Sequence, residues 1–212
     1  MNAAPVLATT ALSALLAFIV SYAIGSIPWA YTIVRLVTGE DVTAHGTGNV
    51  GAMNVRRTTD SWAWFVVAMV ADVLKGVLPV GAFKYLALGT LLTPTGVAVS
   101  GVLGDGALPM AAVAGAVFGH NYSAWMALIK GRFARTGKGL ATGAGALLAY
   151  DWRYFVAVVT VGLLTIAVTR YMMAGQVTAA FTLPVAAALL RSPDWPFALA
   201  MGLVVYGAHH RR

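Results

Sequence analysis

From residue 107 to residue 129 the chain reads ALPMAAVAGAVFGHNYSAWMALI, without one lysine, arginine, aspartate or glutamate. A helix needs about 20 mainly apolar residues to cross the hydrocarbon core of a bilayer. Similar runs recur at 6–37, 61–82, 153–169 and 174–190, with shorter ones at 139–150 and 195–208. Charged residues are 10% of the chain and hydrophobic residues 59%, whereas a soluble domain carries about 25% charged residues. A soluble globular fold is excluded, because there is too little charge to cover its surface. The expectation is an all-α integral membrane protein, residues 1–212 forming a single polytopic membrane domain.

The 23 glycines fit that class, since small residues let membrane helices approach closely. Cysteine is absent, which removes a disulfide framework and thiolate metal sites. The net charge of +7 does not require nucleic acid. Basic loops follow from the orientation rule, and they suit anionic headgroups or a phosphorylated substrate. The N-terminal segment MNAAPVLATT has no basic region before its apolar run, so the first run is expected to stay as a membrane span.

The same rule counts the spans. Residues 85–103 are apolar but broken by Pro94 and several glycines. If they cross fully, loop 130–138, with Lys130, Arg132, Arg135 and Lys138, lies opposite Arg56 and Arg57. If they form a re-entrant or interfacial segment, seven helices cross. Loop 38–60, loop 130–138, Arg170, Arg211 and Arg212 then share one face, and the other keeps Lys84, Arg153 and Arg191. The second arrangement is the more asymmetric. It predicts seven transmembrane helices, the N-terminus outside and the C-terminus cytoplasmic. Pro28, inside the first run, removes a backbone donor and predicts a kink.

Five polar constellations interrupt the apolar background. EDVTAHGTGNVGAMNVRR, 40–57, places Thr47, Asn49 and Asn54 among Gly46, Gly48 and Gly51, with Arg57 behind them. Turn amides can form a nest for an anion, and an arginine can pair bidentately with phosphate. A glycine-rich turn held by local hydrogen bonds reads equally well from this loop alone. TGKGLATGAG, 136–145, sets Lys138 between Gly137 and Gly139, with Thr142 opening an apolar helix. A helix N-terminus beside a lysine suits phosphate, although the Walker A spacing is absent. Arg132 and Arg135 read as an orientation signal, whereas the glycines and Thr142 have no orientation role.

Gly119-His120-Asn121 fits a structural histidine or a pocket residue about 15 Å from the loop at Lys130. Asp72 and Lys75, three apart on one helix, can pair with each other or serve a site. Arg170 suits a snorkelling helix end or a phosphate. The seven acidic residues are scattered and show no metal-ligand spacing, and no serine-histidine-aspartate order stands out. No metal and no cofactor are expected. The chemistry would run on bound anions and positioning.

Taken together, these motifs resemble the PlsY family, the bacterial acyl-phosphate:glycerol-3-phosphate acyltransferases. The match runs in order over about residues 20 to 210: GSIP at 25–28, GEDVTAHGTGNVGAMNVRR at 39–57, DVLKG at 72–76, GHN at 119–121, KGRFARTGKGLAT at 130–142 and TRY at 169–171. Family members have seven membrane helices with their motifs on the cytoplasmic side. The resemblance implies acyl transfer from acyl phosphate to glycerol 3-phosphate, giving lysophosphatidic acid for phospholipid synthesis. The implied location is the cell inner (plasma) membrane, multi-pass, with membrane lipids as partners, no nucleic acid, and an active site facing the cytoplasm.

By carry-over, Thr47, Asn49 and Asn54 are the catalytic set. Gly48, Gly51, Arg57, Lys75, His120, Gly137, Lys138, Gly139, Thr142 and Arg170 are substrate-binding. Thr43 stands where the family has arginine, Met173 and Gln176 where it usually has serine, and five residues are inserted before TGKG. A different phosphorylated acceptor, or a non-enzymatic transporter or lipid-binding relative of the fold, is the alternative.

Overall fold

The structure is a computed structural model that describes residues 3–91, 106–190 and 195–210. Its described residues are helical, with one 3₁₀ turn and connecting loops. The long helices are α1 (Ala3–Gly25), α4 (Trp62–Leu91), α8 (Trp152–Thr169) and α9 (Met172–Leu189). Shorter ones are α2 (Trp29–Thr38), α3 (Ala52–Thr59), α5 (Ala107–Asn121), α6 (Ala124–Lys130), α7 (Leu140–Tyr150) and α10 (Trp195–His210).

Four stretches are long and apolar enough to cross a bilayer: Ala11–Thr38, Trp62–Leu86, Trp152–Thr169 and Met172–Leu189. The outward residues are apolar too. Leu15, Ile19, Leu163, Leu164 and Val168 are all exposed, the surface that hydrocarbon rather than water solvates.

Three sequence expectations change in detail. The first run is not one kinked helix: α1 stops at Gly25, and Pro28 precedes the separate α2. The run 107–129 breaks at Tyr122 and Ser123, giving α5 and α6. The helix expected over 61–82 continues to Leu91, so 85–91 are helical, and the rest of the expected re-entrant segment lies outside the described residues.

Both breaks are satisfied by one another. The Ser123 hydroxyl donates to the Ser26 carbonyl at 2.5 Å, and Ser123 caps α6 by accepting from the Met126 amide at 3.1 Å. The Tyr22 hydroxyl donates to the Tyr122 carbonyl at 2.8 Å. Backbone groups freed inside a membrane need such partners.

Glycine sets the closest helix contacts. A Cβ at Gly25, Gly115 or Gly119 would overlap backbone across the α1–α5 contact. Gly76 and Gly145 do the same for α4 against α7, meeting the carbonyls of Thr142 and Val73. A small apolar core of Ile33, Val34, Val42, Val50, Val55 and Met126 sits beneath loop 38–60. It fastens that loop to α2, α3 and α6.

Candidate active site

Loop 38–60 is organised around Asn54. Its side chain is 2% exposed, and its amide nitrogen donates to the carbonyls of Val42, His45 and Asn49 at 2.8, 3.0 and 3.1 Å. Gly46 and Gly48 take positive φ, +54° and +69°, which glycine adopts without a Cβ penalty. A side chain at Gly46 would collide with the Asn54 carbonyl oxygen, itself buried and without a hydrogen-bond partner among the described residues. Around this centre Thr47 is exposed, Asn49 half-buried and Arg57 exposed, while Gly51 precedes α3 as its N-cap. Arg57 makes no side-chain hydrogen bond among the described residues.

Asp41 pins the start of the loop. It accepts from the Thr43 amide and hydroxyl at 2.9 and 2.6 Å and pairs with Lys130. Burial alone would raise the Asp41 carboxyl, but hydrogen bonds from Lys130 and Thr43 outweigh it and bring its pKa down to about 2. Thr43 is thus a partner of Asp41.

The second half of the site forms around the turn 136–139. Thr136 donates from its hydroxyl to the His120 carbonyl at 2.7 Å and from its amide to the Asn121 carbonyl at 2.8 Å. Its own carbonyl accepts from the Val50 amide at 2.8 Å. That bond joins the two polar loops, which the sequence separates by more than eighty residues.

Lys138 is half-buried and donates to the Gln176 side chain of α9 at 3.3 Å. Gly139, at φ +72°, is the N-cap of α7 and has no side chain to occupy the first amides of that helix. Below the turn, His120 Nδ1 lies 3.3 Å from the Thr142 hydroxyl and 3.7 Å from Asp72. Lys75 pairs with Asp72 at 3.0 Å and donates to the Ile27 carbonyl at 3.0 Å.

The expected residues therefore divide into a loop set and a turn set, joined through Val50 and Thr136. Lys75 and His120 are buried and already partnered by protein groups. Arg170 is an exposed αL cap of α8, φ +56°, six residues before Gln176. Among the described residues its side chain makes no hydrogen bond or ion pair. Ser123, and Ser26 and Thr136 inside the GSIP and TGKG motifs but given no role there, do much of the joining. Their types carry no signal, because serine and threonine are common at any turn.

An apolar groove opens beside the turn. Val113, Val117, Gly139, Leu147, Ala180 and Leu183 are among its lining residues, contributed by α5, α7 and α9. α7 is only 11 residues long, about 16 Å. Lys84 hydrogen-bonds its last carbonyls, Ala149 and Tyr150, at 3.3 and 2.7 Å. The turn thus lies about 16 Å from that capped end, roughly half the thickness of a hydrocarbon core.

The sequence profile of the family described as glycerol-3-phosphate acyltransferase matches residues 15–212. A glycerol-3-phosphate acyltransferase of Synechococcus sp. (strain JA-3-3Ab) is 36% identical over 202 residues, covering 94% of this chain and 88% of that one. Glycerol-3-phosphate acyltransferase 2 of Moorella thermoacetica is 36% identical over 185 residues, covering 87% and 82%. Among solved structures, the crystal structure of PlsY (YgiH), an integral membrane glycerol 3-phosphate acyltransferase in its glycerol 3-phosphate form, superposes with a TM-score of 0.73. It is 25% identical and covers 93% of this chain and 88% of that one.

Proposed function

The chain belongs to the glycerol-3-phosphate acyltransferase family, and from that premise we propose how its site divides the work. The protein is an integral membrane glycerol-3-phosphate acyltransferase of phospholipid synthesis. Our reading of the donor is acyl phosphate. The observation that supports a phosphorylated acceptor meeting a long-chain acyl donor is one lysine turn serving two environments. Lys138 and the uncapped start of α7 suit a phosphate, and Gly139 also lines the apolar groove, which suits an acyl chain. The reacting carbonyl would then lie where the two meet.

The step is a direct acyl transfer. The sn-1 hydroxyl of glycerol 3-phosphate attacks the acyl carbonyl, an ester C–O bond forms, and the bond from that carbonyl to phosphate breaks. Phosphate leaves, and a substrate phosphate oxygen takes the hydroxyl proton. A leaving group this good asks chiefly for positioning. Lys138, with Gly137 and Gly139, binds the phosphate of glycerol 3-phosphate, with Thr142 below and Arg170 at the rim. Thr47, Gly48, Asn49, Gly51 and Arg57 form the opposite wall, with Arg57 exposed and making no side-chain hydrogen bond among the described residues. Asn54 shapes that wall, because three carbonyls already engage its amide. Seven helices cross the plasma membrane as one polytopic domain, with this wall facing the cytoplasm.

The test is transfer by purified protein in lipid nanodiscs, following lysophosphatidic acid, with acyl phosphate and acyl thioesters compared as donors. Acyl phosphate is expected to be used and the thioesters not. Product from thioesters alone would end the donor reading.

A further inference from the structure

The two residues that end α5 lie against the lysine turn at Thr136, Gly137 and Gly139. The carbonyls of His120 and Asn121 hold Thr136 before the turn. The His120 ring occupies the space where a Gly137 side chain would begin, since a Cβ there would overlap Nε2. The Asn121 oxygen lies 2.7 Å from where a Gly139 Cβ would stand. His120 Nδ1 then reaches Thr142, one turn into α7, at 3.3 Å. Asn121 is fully buried, and neither of its amide atoms bonds another described residue. Burying such an amide without a partner is costly, so its place against the turn is not explained by its own hydrogen bonding.

We propose that His120 and Asn121 are positioning residues for Lys138, a template against which the turn is folded. Gly137 is a glycine because the His120 ring fills the space, not because a ligand must approach its Cα atom, whereas Gly139 is held by its positive φ as well as by Asn121. The Asp72–Lys75 pair backs the template: Lys75 reaches the Ile27 carbonyl at the α1 break, and Asp72 lies 3.7 Å from the His120 ring. The position of Lys138 is thereby set by α4, α5 and the break after α1, together with Gln176 of α9.

This inference rests on the reading of Lys138 as the phosphate-binding lysine, and two sets of variants separate them. The first is Lys138→Ala, with KM for glycerol 3-phosphate expected to rise about 100-fold. An unchanged KM removes the lysine reading and leaves the template to be judged on unfolding temperature. The second is a double-mutant cycle, which isolates coupling between touching residues. His120→Ala is expected to raise KM about tenfold with kcat within about threefold, as misplacement of a binding lysine would. Gly137→Ala alone is expected to raise KM about tenfold and lower the unfolding temperature. In the His120→Ala background it should add less than about twofold, because Gly137 is not held at positive φ.

Gly139→Ala serves as the contrast. Its φ of +72° strains any Cβ, so Asn121→Ala should not rescue it. Equal harm from Gly137→Ala with and without His120 would overturn the proposal, because the glycine would then be needed by the ligand. Should Gly137→Ala alone fail to fold, folded double variant supports the template, and its failure to fold overturns it.

Discussion

Loop 38–60 and the turn 136–139 are both polar, both punctuated by glycine and both joined to Val50–Thr136, yet they are held in opposite ways. The loop is held chiefly from inside, with Lys130 and Thr136 as its outside polar partners. Asn54 donates to carbonyls 12, 9 and 5 residues earlier, and Asp41 accepts from Thr43. The turn is held from outside. Its partners His120, Asn121, Val50 and Gln176 lie on other elements, and the Arg135 side chain adds one local bond to the Gly137 carbonyl at 3.1 Å. A segment that carries its own clasp can keep its shape when its neighbours shift, whereas a segment cast on a template moves with it. On the proposed site, acceptor binding at the turn is therefore coupled to helix packing, and the loop is coupled chiefly to its own sequence.

The strongest way to break this contrast is Asn54→Ala. It abandons three carbonyls around one buried centre, so a loss of about 3 kcal/mol or more is expected, with turnover falling at least about 100-fold. Hydrogen exchange should rise across 42–54 while amides of α7 stay protected. Equal loosening of both regions would show that the loop is not self-held.

Gly76→Val tests the other half. Its side chain would meet the Thr142 carbonyl, and overpacking of this kind costs about 2 kcal/mol. KM for glycerol 3-phosphate should rise about tenfold, with exchange in 42–54 unchanged. A shift of the loop without a change in KM would reverse the assignment.

Acid gives the smallest effect. The folded pKa of Asp41 is about 2 against an ordinary 3.8, so the Lys130–Asp41 clasp contributes fully above about pH 4 and is lost as pH falls toward 2. It is worth about 1 kcal/mol at a partly exposed position. Lys130→Ala should lower the unfolding temperature at pH 7 by a few degrees and flatten the stability profile between pH 4 and 2. An unchanged profile would mean that Thr43 alone holds Asp41.

Much of this architecture is legible before any coordinates. The apolar runs give helices at 61–82, 153–169 and 174–190 within a few residues at most ends, because hydrocarbon leaves the backbone no other way to satisfy itself locally. Lys138 at the head of an apolar helix is legible too, as are the glycines of both loops. Proline is a harder signal. Pro28 stands at a helix break, whereas Pro79 and Pro184 pass inside α4 and α9. Sequence alone treats the three alike. The difference is that Lys75 and Ser123 satisfy the Ile27 and Ser26 carbonyls, and those partners come from 48 and 97 residues away.

Sequence alone thus determines the membrane class, the helical runs and which loops carry the polar chemistry, since these follow from composition and from bonds that reach only a few residues along the chain. Tertiary structure decides which of those polar groups remain available. For Lys75 and His120 it supplies protein partners that the sequence does not show, Asp72, Ile27 and Thr142. Gly137 and Gly139 read as loop glycines in one dimension, and the fold sets the His120 ring and the Asn121 side chain beside them. Buried polar groups must find partners, and the helices that meet in the folded protein supply them.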